Sequence, residues 1–174
     1  MKGSRKTIAD YELLKLYPRH RWKIQGTINN AKVTLPETYV TQFKEWLGSV
    51  QKDVLKANVD LQWFLRVEKK ERRWHLHFIM GDHHLKKELE ADSSALLLRS
   101  KMSVRWPVKA NVEIEEYVKD HHTKGKWEEY ICKADEQDEL ETHTRWSKEL
   151  KKEVKRIARR KEETKVGKAL RMFI

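Results

Sequence analysis

Two adjacent segments in which apolar and polar residues alternate constrain the fold of this 174-residue chain more than any other feature. From Val59 to Glu68 the apolar residues recur at odd positions, and from Arg73 to Met80 they recur at even positions. A period of two is typical of β-strands that bury one face. Four charged residues, Lys69 to Arg72, separate the segments and predict a turn. Together these features predict a β-hairpin.

Other segments predict the remaining elements of an α+β domain. Alternation predicts a strand from Arg21 to Ile28 and another strand, or strand pair, from Val104 to Ile114. Helical spacing of apolar residues predicts three helices: Pro36 to about Ala57, about His84 to Leu98, and Gly125 to about Gln137. We therefore expect a central antiparallel sheet with helices packed on its apolar face.

Length and composition favour one core. A chain of this size buries about 70% of its unfolded surface, so it needs no disulfide or structural metal for stability. Cys132 is the only cysteine, which excludes an internal disulfide and a CxxC zinc framework. The longest aliphatic run, Ala95 to Leu98, is far too short to span a bilayer. We expect a cytoplasmic protein without a membrane partner, or a nuclear one if the host is eukaryotic.

Positive charge is concentrated at the C-terminus. The chain has 38 Lys and Arg against 27 Asp and Glu, a net charge of +11. Residues 144–174 hold 12 basic and 4 acidic residues, so this segment contributes 12 − 4 = +8. We expect a long basic helix from about Thr144 to Glu163, forming a C-terminal extension (144–174) to a domain of residues 1–143. The positive electrostatic field of such a segment attracts nucleic acid. The alternative is a solvated charged helix without a partner.

The hairpin is also expected to hold a metal site. If both strands bury their apolar faces on one side, Glu68 and Arg66 share the other face with His75 and His77. A four-residue turn would place Glu68 opposite Arg73 and Arg66 opposite His75. Two imidazoles and a carboxylate suit Mn²⁺, Mg²⁺ or Zn²⁺ and leave positions for water or phosphate. A histidine pair that only hydrogen-bonds locally is the alternative.

A tyrosine and a lysine share one face of the helix predicted from Gly125 to Gln137. Trp127, Ile131 and Ala134 should pack inward, whereas Tyr130 and Lys133, three residues apart, lie on a neighbouring face. A phenol is a weak nucleophile at its free pKa of about 10, and a nearby cation favours the phenolate. A packed tyrosine beside a surface lysine is the alternative.

In their order and setting, these motifs resemble those of the replication-initiator branch of the HUH endonucleases, which includes the Rep nuclease domains of parvoviruses, circoviruses and rolling-circle plasmids. The family's metal motif, His-hydrophobic-His with an upstream acidic ligand, is matched by His75-Leu76-His77 and Glu68. Its third motif, YxxK, is matched by Tyr130-Ile-Cys-Lys133. Its first motif corresponds only weakly to residues Lys23 to Asn29. The resemblance spans Arg21 to Asp135 and implies that residues 1–143 form a Rep-like HUH endonuclease domain.

The resemblance implies a metal-dependent enzyme that nicks and joins single-stranded DNA. Mn²⁺ or Mg²⁺, held by Glu68, His75 and His77, would polarise the scissile phosphate. Tyr130 would attack it and form a 5′-phosphotyrosyl bond, with Lys133 assisting. The expected DNA contacts are Lys23, Gln25, Arg66 and Lys126.

The implied substrate is single-stranded DNA or a DNA hairpin at an origin or element end, where the enzyme would initiate rolling-circle replication of a plasmid, virus or mobile element. The sequence has no Walker A glycine loop, so unwinding would require a host or separately encoded helicase. A single-tyrosine HUH transposase and a non-catalytic, basic nucleic-acid-binding module are the alternatives. A histidine-triad hydrolase is a further one, but its motif needs a third histidine where Ile79 stands.

Overall fold

The computed structural model describes residues 14, 16–18, 21–30, 35–56, 61–70, 73–81, 95–106, 110–117 and 142–171. Its strands are β1 (Trp22–Asn29), β2 (Gln62–Lys70), β3 (Arg73–Gly81), β4 (Asn111–Glu116) and β5 (Thr142–Trp146), and its helices are α1 (Pro36–Ser49), α2 (Ala95–Val104) and α3 (Lys148–Arg171). The strands form one antiparallel sheet in the order β4-β1-β3-β2-β5. The predicted α+β class with a central antiparallel sheet is confirmed.

The main core lies between one face of the sheet and α1. Pro36 begins this helix, where its fixed φ suits the first turn and its missing N–H costs no hydrogen bond. The Phe43 ring lies 5.1 Å from the Trp63 ring and 5.3 Å from the Phe78 ring, measured between centroids. The helix continues as a π-helical turn over Val50–Val54. We call the sheet face covered by α1 the first face and the opposite one the second face.

The hairpin of β2 and β3 is tighter than predicted. Lys69 pairs with Trp74 and Lys70 with Arg73, so only residues 71–72 lie between the strands and the expected four-residue turn is wrong. The Lys69 ammonium also lies 5.5 Å from the centre of the Trp74 ring, a cation–π contact that favours the longer ladder. The pairing is shifted by two residues, and a shift of two leaves every side chain on its predicted face.

The basic helix begins later than predicted, because residues Thr142–Trp146 form β5 beside β2. Ser147 then starts α3: its Oγ accepts a hydrogen bond from the Leu150 backbone N–H at 3.1 Å, as an N-cap side chain does. The same oxygen accepts one from the Trp63 backbone N–H at 3.2 Å. The expected boundary between residues 143 and 144 therefore falls within a strand of the sheet.

The second face is apolar at one end, although we expected helices only on the first face. Phe64 and Ile79 are fully buried there against Leu150 and Val154 of α3. Trp22, Leu14 and Tyr17 complete this second cluster. The sequence pattern did not reveal it because Phe64 and Ile79 occupy positions that otherwise alternate as polar. The histidine-bearing end of the second face lies next to this cluster.

The segment around Trp106 also differs from its prediction as a strand. Val104 is the last residue of α2, and β4 begins only at Asn111. Trp106 is buried beside Trp46, with ring centroids 5.9 Å apart. The Trp46 indole N–H donates to the Met102 carbonyl at 2.7 Å, which holds the end of α2 against α1. The helix predicted from Gly125 to Gln137 lies outside the described residues.

Candidate metal centre on the second face

Six polar side chains form two rows across β1, β3 and β2 on the second face. The register places His75 between Asn29 and Glu68 in one row. It places His77 between Thr27 and Arg66 in the next. The predicted sharing of one face by Glu68, Arg66, His75 and His77 is confirmed, but Glu68 lies opposite His75 rather than Arg73, and Arg66 lies opposite His77 rather than His75.

Glu68 is the charged centre of this arrangement. Its Oε1 lies 3.0 Å from His77 Nε2, and its Oε2 lies 3.2 Å from an Arg66 guanidinium nitrogen. Burial raises the pKa of Glu68, but the hydrogen bond and charge of His77, with the charges of Arg66 and His75, lower it by more. The pKa therefore lies below its ordinary value of 4.5, and the carboxylate is ionised at neutral pH.

The His77 ring is held at both nitrogens, and its side chain is only 7% exposed. An ionised carboxylate can only accept, so Nε2–H donates to Glu68. The other nitrogen, Nδ1, lies 3.1 Å from Thr27 Oγ1. In a neutral ring this nitrogen accepts, so the Thr27 hydroxyl donates. A hydroxyl can also accept, so Thr27 could instead accept a hydrogen bond from Nδ1–H of His77. In that tautomer the lone pair on Nε2 would be available to a metal.

The His75 ring is oriented by Asn29, which like Thr27 lies in β1. Its Nδ1 is hydrogen-bonded to the Asn29 side-chain oxygen. An amide oxygen only accepts, so Nδ1 carries the proton and the lone pair of the neutral ring is on Nε2. Ligand histidines in proteins are usually fixed in this way, through the ring nitrogen that does not bind the metal. Thr27 and Asn29 therefore stand where orienting residues would.

The donor set fits a divalent cation. Two ligands about 2.1 Å from one ion and at a right angle are about 3.0 Å apart. That matches the 3.0 Å between His77 Nε2 and Glu68 Oε1, so an ion could replace the shared proton there. Among the described residues, no three His, Cys, Asp or Glu side chains lie close enough together to hold a metal ion as they stand. Binding would thus require the Glu68–His77 hydrogen bond to be exchanged for metal–ligand bonds.

Three of the expected DNA contacts lie in β1 and β2, at different depths. Lys23 is half-buried. Gln25 is 2% exposed and donates from Nε2 to Glu115 at 3.2 Å. Arg66 is also 2% exposed and is engaged with Glu68, so only a ligand that reaches the metal site could contact its guanidinium.

The expected nucleophile and its helper, Tyr130 and Lys133, lie outside the described residues, as does the expected DNA contact Lys126. Their roles stay predictions from the sequence. Tyr117, another tyrosine of the chain, is half-buried, and its backbone N–H donates to the Lys23 carbonyl at 2.8 Å.

Thr27 and Asn29 are the site residues that we did not identify from the sequence. Alternation along β1 placed them on the same face as Lys23 and Gln25, which was the available signal. Their function depends on β1 lying beside β3, with Thr27 opposite His77. Nothing in one sequence fixes that pairing, because β1 and β3 are about fifty residues apart.

Comparisons with family models, curated proteins and solved structures gave no match to this chain. Among the described helices, none is both long and apolar enough to cross a membrane. The chemistry of the second face is therefore the ground on which a function can be assigned.

Proposed function

We propose that this chain is a metal-dependent enzyme that nicks and joins single-stranded DNA, of the HUH replication-initiator type. The observation that carries the proposal is the convergence of Glu68, His75 and His77 on one face of β2 and β3. Both imidazoles are held through Nδ1 by side chains of β1, the arrangement expected of metal ligands.

Glu68, His75 and His77 would hold the ion, and Mn²⁺ or Mg²⁺ is the cofactor we propose. When bound, the ion would supply Lewis-acid stabilisation of the phosphate charge that develops during cleavage. Glu68 is suited to this role because its carboxylate is ionised at neutral pH. Arg66, beside Glu68, adds a fixed positive charge that favours a phosphate group at the site.

Tyr130 is the proposed nucleophile. Its phenolic oxygen forms a bond to phosphorus as the bond to the 3′-oxygen breaks, and its proton passes to solvent. The departing oxygen takes up a proton and becomes a 3′-hydroxyl, while the 5′-phosphate stays on the enzyme. Lys133 would favour the phenolate and neutralise phosphate charge. Because the phosphodiester energy is retained, a 3′-hydroxyl can reverse the step and join strands without ATP.

A substrate at an origin or element end, as single strand or hairpin, and a separate helicase complete the proposed role in rolling-circle replication. A single-tyrosine transposase would use the same chemistry on element ends. The competing class is a non-catalytic nucleic-acid-binding module. One observation favours a binding module. Thr27, His77 and Glu68 form a continuous chain of hydrogen bonds that needs no metal to complete it.

Cleavage of a 5′-labelled single-stranded DNA library distinguishes an enzyme from a binding module. The full chain with Mn²⁺ should produce shorter labelled fragments ending in a 3′-hydroxyl, and EDTA should abolish them until metal is restored. His75→Ala should abolish cleavage with little loss of stability, because this side chain is only half-buried.

Asn111→Ala is the matched control for His75→Ala. Asn111 is exposed on β4 in the same cross-strand row, beyond Asn29, so its loss should leave cleavage intact. DNA binding with no cleavage under any metal, or full cleavage in EDTA, would contradict the proposed function.

A further inference from the structure

The outer face of α3 carries a stripe of four basic residues. Lys148, Lys152, Lys155 and Arg159 recur at i, i+4, i+7 and i+11, so they lie along one side of the helix, and all four are exposed. At 1.5 Å per residue the stripe is about 16 Å long. We call these four residues the basic stripe.

The opposite side of α3 fixes the helix to the sheet. Leu150 and Val154 are buried in the second cluster with Phe64 and Ile79. The Glu153 carboxylate, 13% exposed, accepts from Arg21 at 2.7 Å and so ties the helix to the residue before β1. The basic stripe is therefore held in a set position relative to the histidine-bearing sheet.

The two acidic residues within the length of the basic stripe, Glu149 and Glu153, leave it with a net positive charge. Glu149 and Glu153 are half-buried and lie on the flank of the helix between the basic stripe and the sheet. Glu153 is engaged with Arg156 at 2.6 Å as well as with Arg21. Like charges three and four residues apart destabilise a helix, and an anion with the same spacing would relieve that repulsion. Glu162 and Glu163, three and four residues beyond Arg159, are the first acidic residues after the stripe.

The chemistry of this surface favours a polyanion over a small ligand or a membrane. An open space of about 440 Å³ on the helix is lined only by charged side chains: Lys152, Lys155, Arg156, Arg159, Arg160 and Glu163. Small-molecule sites are lined predominantly by hydrophobic and aromatic residues, and no such residue lines this space. A membrane-bound helix inserts an apolar face, but Leu150 and Val154 already pack against the sheet.

We infer that the basic stripe binds the phosphate backbone of DNA that flanks the cleaved strand. The inference rests on the proposed function in taking DNA as the partner. It adds a second contact surface, separate from the Glu68 and histidine site, that gives affinity without sequence readout. Each lysine or arginine that contacts a phosphate displaces counterions, so its contribution appears in the salt dependence of binding.

The test compares two triple variants that lose the same charge. One is Lys152→Gln, Lys155→Gln and Arg159→Gln. The control is Lys44→Gln, Lys52→Gln and Lys101→Gln, three exposed lysines on α1, its π-helical turn and α2, which cover the first face. Affinity of the full-length proteins for a mixed-sequence DNA duplex is measured in EDTA over a series of salt concentrations, so that neither metal nor cleavage contributes.

The slope of log K against log salt should fall by about 0.9 per lost duplex contact, or by about 2 to 3 for the stripe variant. The control should keep the wild-type slope. Equal changes in both variants, or no change in either, would overturn the inference. Binding of the same proteins to vesicles of anionic lipid is measured in parallel. A stripe variant that loses vesicle binding but keeps DNA binding would also overturn it. The stripe can bind DNA even if no cleavage occurs. Failure of this inference can therefore be distinguished from failure of the proposed function.

Discussion

The Thr27 hydroxyl lies 3.1 Å from Nδ1 of His77, and the opposite ring nitrogen lies 3.0 Å from the Glu68 carboxylate. A hydroxyl from β1 therefore sets the orientation of a ring on β3 that faces a carboxylate on β2. Because the hydroxyl can donate or accept, it can hold the ring both with and without a metal on Nε2.

Thr27→Val should weaken metal binding. Valine has a similar shape and suits a strand, but it leaves Nδ1 of His77 without the hydroxyl. Loss of such an orienting partner typically costs 10-fold to 100-fold in metal affinity, so we expect the Kd for Mn²⁺ in calorimetry to rise by about 10-fold. Thr27→Ser keeps the hydroxyl and should restore tight binding. If the serine variant binds as weakly as the valine variant, the hydroxyl is not the group that matters.

Gly26→Ala and Gly48→Ala should change stability in opposite directions. A Cβ on Gly26 would lie 2.5 Å from the Phe78 ring and 2.8 Å from the Glu113 carbonyl oxygen, inside the sheet. We expect a loss of about 3 kcal/mol in the free energy of unfolding. A Cβ on Gly48 in α1 meets nothing within 4 Å, so alanine should stabilise by about 0.5 to 1 kcal/mol. Urea denaturation measures both, and a tolerated Gly26→Ala would show that Phe78 does not pack against β1 as described.

Glu153→Gln should destabilise the protein at neutral pH but not in acid. The hydrogen bond from Arg156 lowers the pKa of Glu153 below its ordinary value of 4.5, burial opposes this, and Arg21 adds to the lowering. A lowered pKa stabilises the fold above the ordinary value, and that contribution is lost as the pH falls through the lowered pKa. With partly exposed partners we expect about 0.5 to 1 kcal/mol at pH 7.

Glu149→Gln is the control for Glu153→Gln, since it removes the same charge one turn earlier in α3. Thermal unfolding over a pH series should separate wild type from Glu153→Gln above pH 4.5 and bring the two curves together as the pH falls from 4.5 through the lowered pKa. A gap that is constant across the series, or that Glu149→Gln reproduces, would mean that the bridge to Arg21 and Arg156 does not secure the helix.

The sequence predicted the faces of the central strands better than their partners. A period of two assigns Glu68, His75 and His77 to one face for a turn of two or of four residues, because slipping by two residues preserves parity. The turn itself was mispredicted, since charged residues such as Lys69 can continue a ladder when they pack along an aromatic ring. The start of α3 was misplaced for a similar reason: the short strand β5 lies next to a helical pattern, and only its pairing with β2 reveals it.

The candidate site shows the same division. The ligand set follows from local alternation, but Thr27 and Asn29 join it only through the pairing of β1 with β3. The second cluster was likewise hidden, because Phe64 and Ile79 are buried by Leu150 and Val154, which are distant in sequence. Local patterns specify which side a residue occupies, whereas contacts across the sheet depend on topology.

The most direct measurement of the central claim is the identification of the residue that becomes covalently attached to DNA. The full chain is incubated with Mn²⁺ and a 3′-labelled single-stranded DNA library, separated under denaturing conditions and mapped by peptide sequencing. A 5′-phosphotyrosyl intermediate retains the labelled strand, and we predict that the label maps to Tyr130. Tyr130→Phe should form no adduct, and Tyr117→Phe should form it normally. An adduct on Tyr117 or another residue, or an adduct that Tyr130→Phe forms at the normal rate, would contradict the account.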